Sequence, residues 1–194
     1  MSSRVRALTT LCLACVVTLG CGGEPPEKEI QQAQSAIDAA VSAGAETYAT
    51  DEFAAARLAL TNAKTAVDQR DYRLALNDAL DSRERALNAA KEAANAKTAA
   101  RSAAEHALKE ADAALDGARG KLKTAEDRKL SVRLLSGPRN AIDTAGVRLQ
   151  EARAAFDQGR YLEVPTKANA ASGSLAAPLE QLETALSAPA RRRR

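Results

Sequence analysis

Apolar residues recur every three or four positions along most of the chain, which is the spacing that places them on one face of an α-helix. A first helix is predicted from Glu27, with Ile30, Ala33, Ile37 and Ala40 on its apolar face. A connector over residues 44–50 follows this helix. The chain therefore begins its folded part with an amphipathic helix that needs a partner to cover one side.

A second helix is predicted after the connector, with Thr50 as its N-cap because a threonine hydroxyl can accept a hydrogen bond from the first helical turn. A tight turn over residues 68–71 then leads to a third helix that opens at Tyr72. The second helix carries a heptad seam formed by Phe53, Ala56, Leu60, Ala63 and Val67.

The third helix has a seam of almost exclusively small side chains, which allows a neighbouring helix to approach to the near end of the usual range of about 8–10 Å. On its outer face, Asp81 with Arg85 and Glu105 with Lys109 are predicted ion pairs four residues apart. The predicted seam comprises Tyr72, Ala75, Ala79, Ser82, Ala86, Ala89, Ala93, Ala96, Ala100, Ala103 and Ala107.

An internal repeat relates the two halves of the chain, because a shift of 89 residues superposes much of the pattern. We therefore expect an all-α fold, an elongated antiparallel helical bundle of coiled-coil-like character in which two related three-helix units share a long central helix. The matched pairs are Ala56 and Ala145, Leu60 and Leu149, Ala63 and Ala152, Asp68 and Asp157, Gln69 and Gln158, Tyr72 and Tyr161, and Ala79 and Ala168.

Glycine and proline predict where the units divide. Residues 27–116 form the first unit and run into the start of the second, residues 117–138 form a connector, and residues 139–187 form the hairpin of the second unit. Gly117 and Gly120 open the connector, and Pro138 suits the first turn of the next helix. A kink or break is expected at Gly173 and Pro178.

The N-terminus has the composition of a secretion signal: Arg4 and Arg6 precede an uncharged, mostly apolar stretch that is too short to span a bilayer. Residues 17–21 then resemble the bacterial lipobox. The resemblance implies that residues 1–20 are a signal peptide cleaved between Gly20 and Cys21, and that Cys21 carries the lipid. An ordinary secreted protein cut at a nearby small residue is the alternative.

The lipobox resemblance also predicts a location. Residues 21–26 become a lipidated tether, and Gly22 after the cysteine resembles the sorting signal for the periplasmic face of the outer membrane in the cell envelope. Cleavage removes Cys12 and Cys15, so Cys21 is the one cysteine left and neither an intramolecular disulfide nor a cysteine metal site is expected.

Charge is concentrated at the C-terminus. Residues 188–194 are predicted to be a disordered basic tail, in which Arg191, Arg192, Arg193 and Arg194 contact an anionic surface such as cell-wall phosphate, lipopolysaccharide or phospholipid headgroups. A solubilising tail without a target is the alternative. Nucleic acid is not expected to be a partner of an exported protein.

Candidate catalytic chemistry is sparse. The single histidine, His106, is expected on the helix surface, because a metal ligand or general base needs partners that the surrounding sequence does not supply. We predict no enzyme activity, no cofactor and no metal. The aromatic residues permit two interpretations, a ligand pocket or plugs at the ends of the bundles; they are Tyr48, Phe53, Tyr72, Phe156 and Tyr161.

The stretch from 43 to 97 combines a small-residue turn at 43–45, the pair Tyr48-Ala49, and Asp71-Tyr72 before an alanine-periodic helix. In this it resembles the bacterial lipoprotein family known as domain of unknown function 4398, over about residues 27 to 100. The resemblance implies a short secreted helical module, often lipid-anchored, without established catalytic residues.

Two functions follow as hypotheses. The first is a structural or adaptor lipoprotein whose rod presents an alanine-rich groove or the arginine tail to an envelope partner. The second is a peptide-binding module similar to tetratricopeptide hairpins, although its period of 89 residues is far longer than the usual period of about 34. The pattern leaves the oligomeric state open, since alanine seams suit either intra- or intermolecular packing.

Overall fold

The computed structural model describes residues 23–187, and these residues are almost entirely helical, with no β-strand among them. This confirms the predicted all-α class. The signal segment, Gly20, Cys21 and residues 188–194 lie outside the described residues. The helices are α1 (Glu27–Ala43), α2 (Ala45–Tyr48), α3 (Thr50–Asp68), α4 (Tyr72–Asp127), α5 (Val132–Asp157), α6 (Val164–Gly173) and α7 (Ala176–Ser187), with a 3₁₀ turn at Tyr161–Glu163 before α6.

Helix α4 is the axis of the molecule. Its 56 residues correspond to a length of about 84 Å. Its N-terminal half packs against α1 and α3, and its C-terminal half packs against α5, α6 and α7. Two helical bundles therefore lie end to end on one helix, which confirms the prediction of two units that share a long central helix.

The first bundle is packed around alanine. Because these side chains are small, the helix backbones approach closely, and the buried Ser82 hydroxyl of α4 donates a hydrogen bond to the Ala56 carbonyl of α3 at 2.8 Å. The buried cluster is Ala33, Ala36, Ile37, Ala40, Ala45, Ala49, Phe53, Ala56, Leu60, Ala86, Ala89 and Ala93.

The second bundle repeats the first, but it has larger side chains in the segment that corresponds to α4 of the first bundle. At the shift of 89 residues, buried Val164 stands where the first bundle has Ala75, and buried Leu175 stands where it has Ala86. The cluster of the second bundle is Ala104, Ala107, Ala111, Leu115, Ala118, Ile142, Ala145, Leu149, Ala152, Ala155, Val164, Ala168, Ala171 and Leu175, and a third, smaller cluster of Ala125, Leu135 and Leu182 closes its far end.

The seam of α4 changes its period between the bundles. Buried positions follow a heptad spacing up to Ala93. The half-buried Ala96 and Ala100 come next, at spacings of three and four residues. A further spacing of four then places Ala104, rather than the predicted Ala103, in the interior. A heptad pattern drifts around a straight helix, whereas an 11-residue pattern follows it closely. The prediction for Ala103 was wrong because it extended the heptad of the first bundle into the second.

The predicted connector over residues 117–138 is wrong, because most of it is helical. Helix α4 continues to Asp127 through the exposed Gly117 and Gly120, and only residues 128–131 interrupt the helices. Pro138 is the seventh residue of α5 and is buried, rather than lying in a first turn. Packing on the shared helix outweighs the local helix-breaking tendency of these residues.

Two smaller predictions have opposite outcomes. The N-cap of α3 is Ala49, and Thr50 is already helical, with its hydroxyl turned to the Asp51 carboxylate at 3.4 Å. The expected break is confirmed at Gly173, where α6 ends before α7 begins at Ala176, but not at Pro178, which is the third residue of α7.

The same turn ends α3, α4 and α5. In each, the first residue past the C-cap has a left-handed backbone: Arg70 with φ 58°, Lys129 with φ 56° and Gly159 with φ 74°. The residue after it donates its N–H to a carbonyl five positions back, at 2.9 Å from Asp71 and at 2.9 Å from Arg160. The repeat therefore preserves backbone geometry as well as sequence, and two of the three turns hold a non-glycine residue where glycine fits best.

Substitutions at these turns should change stability in opposite directions. Arg70→Gly should raise the free energy of unfolding by about 1 kcal/mol, because it removes the cost of a left-handed backbone at a residue with a Cβ. Gly159→Ala should lower it by a similar amount. Chemical denaturation followed by circular dichroism measures both, and two changes of the same sign would refute the shared turn geometry.

Overfilling the first bundle tests its close packing. Ala86→Leu should lower the free energy of unfolding by about 1–3 kcal/mol, because no space exists beside this fully buried methyl group. The control is Ala94→Leu on the exposed side of the same helix, which should change stability by less than about 0.5 kcal/mol. Equal effects of the two substitutions would show that the bundle is not packed as described.

Candidate functional site

Candidate metal ligands and catalytic groups do not converge within residues 23–187. No group of three or more His, Cys, Asp or Glu side chains there is arranged to hold a metal ion. The His106 side chain is 72% exposed, and its Nδ1 lies 3.2 Å from the Glu110 carboxylate one turn along α4. His106 is thus a surface residue, as expected.

The charged faces consist mainly of short ion pairs along and between helices. The predicted pair of Asp81 and Arg85 is present at 2.8 Å, and this hydrogen bond raises the pKa of the Arg85 guanidinium. The predicted pair of Glu105 and Lys109 is not formed; Glu105 instead accepts from Arg101 at 3.0 Å. These ion pairs lie on the surface of the bundles and do not form a catalytic or metal-binding site.

Aromatic side chains gather where the two bundles meet. The rings of Phe156 and Tyr161 lie 5.2 Å apart, and the Arg101 guanidinium of α4 lies 5.9 Å from the centre of the Phe156 ring. Tyr48 reaches the same junction from α2, and burial, together with electrostatic repulsion from Tyr161, raises its pKa. This arrangement joins bundles along α4 at a stretch where α4 itself buries few side chains.

The arrangement matches the interpretation of the aromatics as packing residues. A surface cavity of about 360 Å³ lies at the junction, but Tyr48 is the one aromatic residue that lines it. Phe53 is buried in the first bundle, and Tyr72 begins α4 at the opposite end. The five residues therefore do not form one aromatic pocket.

The alanine seam is the interior of the bundles rather than an open groove. Ala75, Ala79 and Ala89 have no solvent exposure, because α1 and α3 cover them. A different face of α4 carries exposed apolar side chains: Leu76, Leu80 and Leu87 are 36%, 45% and 51% exposed.

These three residues, which we name the leucine stripe, lie on one side of α4 at spacings of four and seven residues. A shallow cavity of about 310 Å³ lies along Leu80 and Leu87, beside Arg83 and Glu84. This face is not predictable from the sequence pattern, which does not show which apolar residues stay exposed once α1 and α3 are in place.

The two chain ends leave the rod at opposite ends. Residues 24–26 lie beside Leu76, near the start of α4. Ser187 ends α7 near the end of α4, where Arg128 Nη1 donates to the Leu186 carbonyl at 2.8 Å. The sequence-predicted sites on either side, Gly20 and Cys21 before this part and Arg191 to Arg194 after it, therefore connect to opposite ends of the molecule.

Charge also differs between the halves. Residues 24–93 carry 13 acidic and 8 basic side chains, whereas residues 94–187 carry 12 acidic and 14 basic ones. The half that follows the predicted tether is therefore acidic, and the half that precedes the arginine tail is basic.

No helix within residues 23–187 has the length and apolar character needed to cross a membrane.

No protein-family model matches the chain, and no curated protein or solved structure is significantly similar to it. The class that the fold defines is therefore an all-α rod of two end-to-end bundles, and the resemblance to domain of unknown function 4398 stays a prediction.

Proposed function

We propose that this chain is a non-catalytic lipoprotein of the bacterial envelope. Acylated Cys21 anchors it at the periplasmic face of the outer membrane, and the helical rod acts as a structural spacer and adaptor. The observation that carries the proposal is the course of α4, a single helix of 56 residues that belongs to both bundles.

The geometry suits a spacer because the tether and the far bundle are well separated. From Leu76, beside the tether, to Asp127 the helix rises about 76 Å. A long isolated helix bends easily, but here both halves of α4 are packed against other helices. The aromatic contacts at the junction support the stretch between them, since Arg101 and Phe156 join α4 to α5 there.

The adaptor role is supported by the leucine stripe. It lies in the bundle next to the tether, so an anchored protein would present it close to the membrane that holds Cys21. Exposed apolar side chains in a row are a common feature of protein interfaces. The partner that fits this chemistry is an amphipathic helix of another envelope protein.

The end-to-end arrangement of the two bundles favours a spacer over a tetratricopeptide-like module. Tetratricopeptide hairpins stack side by side and form a concave binding face. In this chain the two units lie end to end, and one helix passes through both.

Lipidation can be tested at Cys21 with a matched control in the signal segment. Cells that express wild-type, Cys21→Ser or Cys15→Ser protein are fed labelled palmitate, and the purified proteins are examined by mass spectrometry. Wild-type and Cys15→Ser protein should carry the label and begin at Cys21, because a thioether to lipid requires the Cys21 thiol. Cys21→Ser protein should lose the label completely.

Two outcomes would contradict the proposal: label that persists in Cys21→Ser protein, or an unmodified wild-type cysteine at the mature N-terminus. Membrane fractionation alone is a weaker test, because an uncleaved signal segment would also hold the variant at a membrane.

A further inference from the structure

The end of the rod farthest from the tether carries a concentrated basic surface. Lys123, Arg128, Lys129 and Arg133 are all exposed around the turn between α4 and α5, and none of them forms an ion pair within residues 23–187. We name residues 123–134 the basic tip. The basic tip contains two carboxylates, Glu126 and Asp127, and Arg139 binds Glu126 at 2.7 Å.

Two large apolar side chains stand among these cations. Val132 and Leu134, in the first turn of α5, are 72% and 53% exposed, and Val132 is the most exposed large apolar residue of the described chain. The following residue, Leu135, is buried in the small cluster that closes this end of the bundle. Leu135 therefore fixes the first turn of α5 to the core. Val132 and Leu134 stay exposed on different sides of this turn, and Leu134 lies at the edge of a groove between α5 and α7.

Additional positive charge follows in the chain. Helix α7 ends at Ser187 on this side of the molecule, since Arg128 binds the Leu186 carbonyl. Arg191 to Arg194 follow Ser187 within seven residues.

We propose that the basic tip binds the surface of an anionic phospholipid bilayer, with Val132 and Leu134 inserted between the headgroups. Cations near such a surface are attracted to its negative potential, and an apolar side chain gains by leaving water for the acyl boundary. A soluble polyanion or a cell-wall phosphate would use the cations alone. The exposed apolar pair is therefore the feature that favours a bilayer.

This contact lies about 76 Å along α4 from the tether end. The inference goes beyond the proposed function, because it gives the rod a second membrane contact at its other end. It does not depend on acylation, so a protein that lacks Cys21 can test it separately.

The test uses the chain from Gly22 to Arg194, which contains every residue of the three buried clusters. The probes are vesicles of pure phosphatidylcholine and vesicles with about 30% phosphatidylglycerol, and co-flotation measures the partition coefficient. Binding should require phosphatidylglycerol. Lys129→Gln with Arg133→Gln should weaken it about 25-fold, because each cation near the surface contributes about a fivefold effect. Val132→Ser with Leu134→Ser should weaken it at least about tenfold.

Matched controls lie in the first bundle. Arg73→Gln with Lys91→Gln removes two exposed cations, and Leu58→Ser removes a side chain that is 62% exposed. These variants should change the partition coefficient less than about twofold, because their positions lie in the first bundle, distant from the tip. Circular dichroism of each variant confirms that helix content is retained.

Several results would overturn the proposal: no binding, equal binding to neutral vesicles, or controls that weaken binding as much as the tip variants. An unchanged partition coefficient for the Val132 and Leu134 variant would show attraction of any polyanion rather than insertion into a bilayer. Loss of binding on removal of residues 188–194, with tip variants without effect, would assign the contact to the tail alone.

Discussion

Close packing of alanine against one continuous helix is the constraint on which the rest of this structure depends. Because the seam of α4 presents methyl groups rather than larger side chains, α1 and α3 lie close enough for the Ser82 hydroxyl to bind a carbonyl of the neighbouring helix. Each alanine contributes little hydrophobic free energy, about 0.8 kcal/mol per buried CH₂. Stability therefore comes from length, and length produces a rod rather than a globule.

The internal repeat explains how one helix can serve two bundles. The turns after α3 and α5 share their hydrogen-bond pattern and their left-handed residue, so each copy reverses its chain in the same way. In the first copy the helix after the turn is α4 itself. In the second copy it begins as a 3₁₀ turn and continues as α6, because Pro165 lacks the N–H that an uninterrupted helix would donate to Tyr161. The consequence is a molecule whose predicted tether and basic tip lie at opposite ends.

Helical periodicity made most of the fold predictable, including the turn before Tyr72 and the repeat at 89 residues. The errors have physical causes. Gly117, Gly120 and Pro138 have local preferences that tertiary packing overrides, and the burial of Ala104 depends on a change of period that no single heptad reveals. The leucine stripe and the basic tip were missed because a sequence pattern does not show which apolar and charged residues stay exposed once neighbouring helices are in place.

The continuity of α4 through the junction is the central claim, and a distance measurement tests it most directly. Spin labels at the exposed positions Asn88 and Lys123 of the chain from Gly22 onwards lie on opposite sides of the junction. Pulsed electron paramagnetic resonance should give one narrow distribution near about 52 Å, the rise of 35 helical residues. A broad distribution, or a principal distance shorter by about 10 Å or more, would show that the helix bends or breaks between the bundles and would contradict the account.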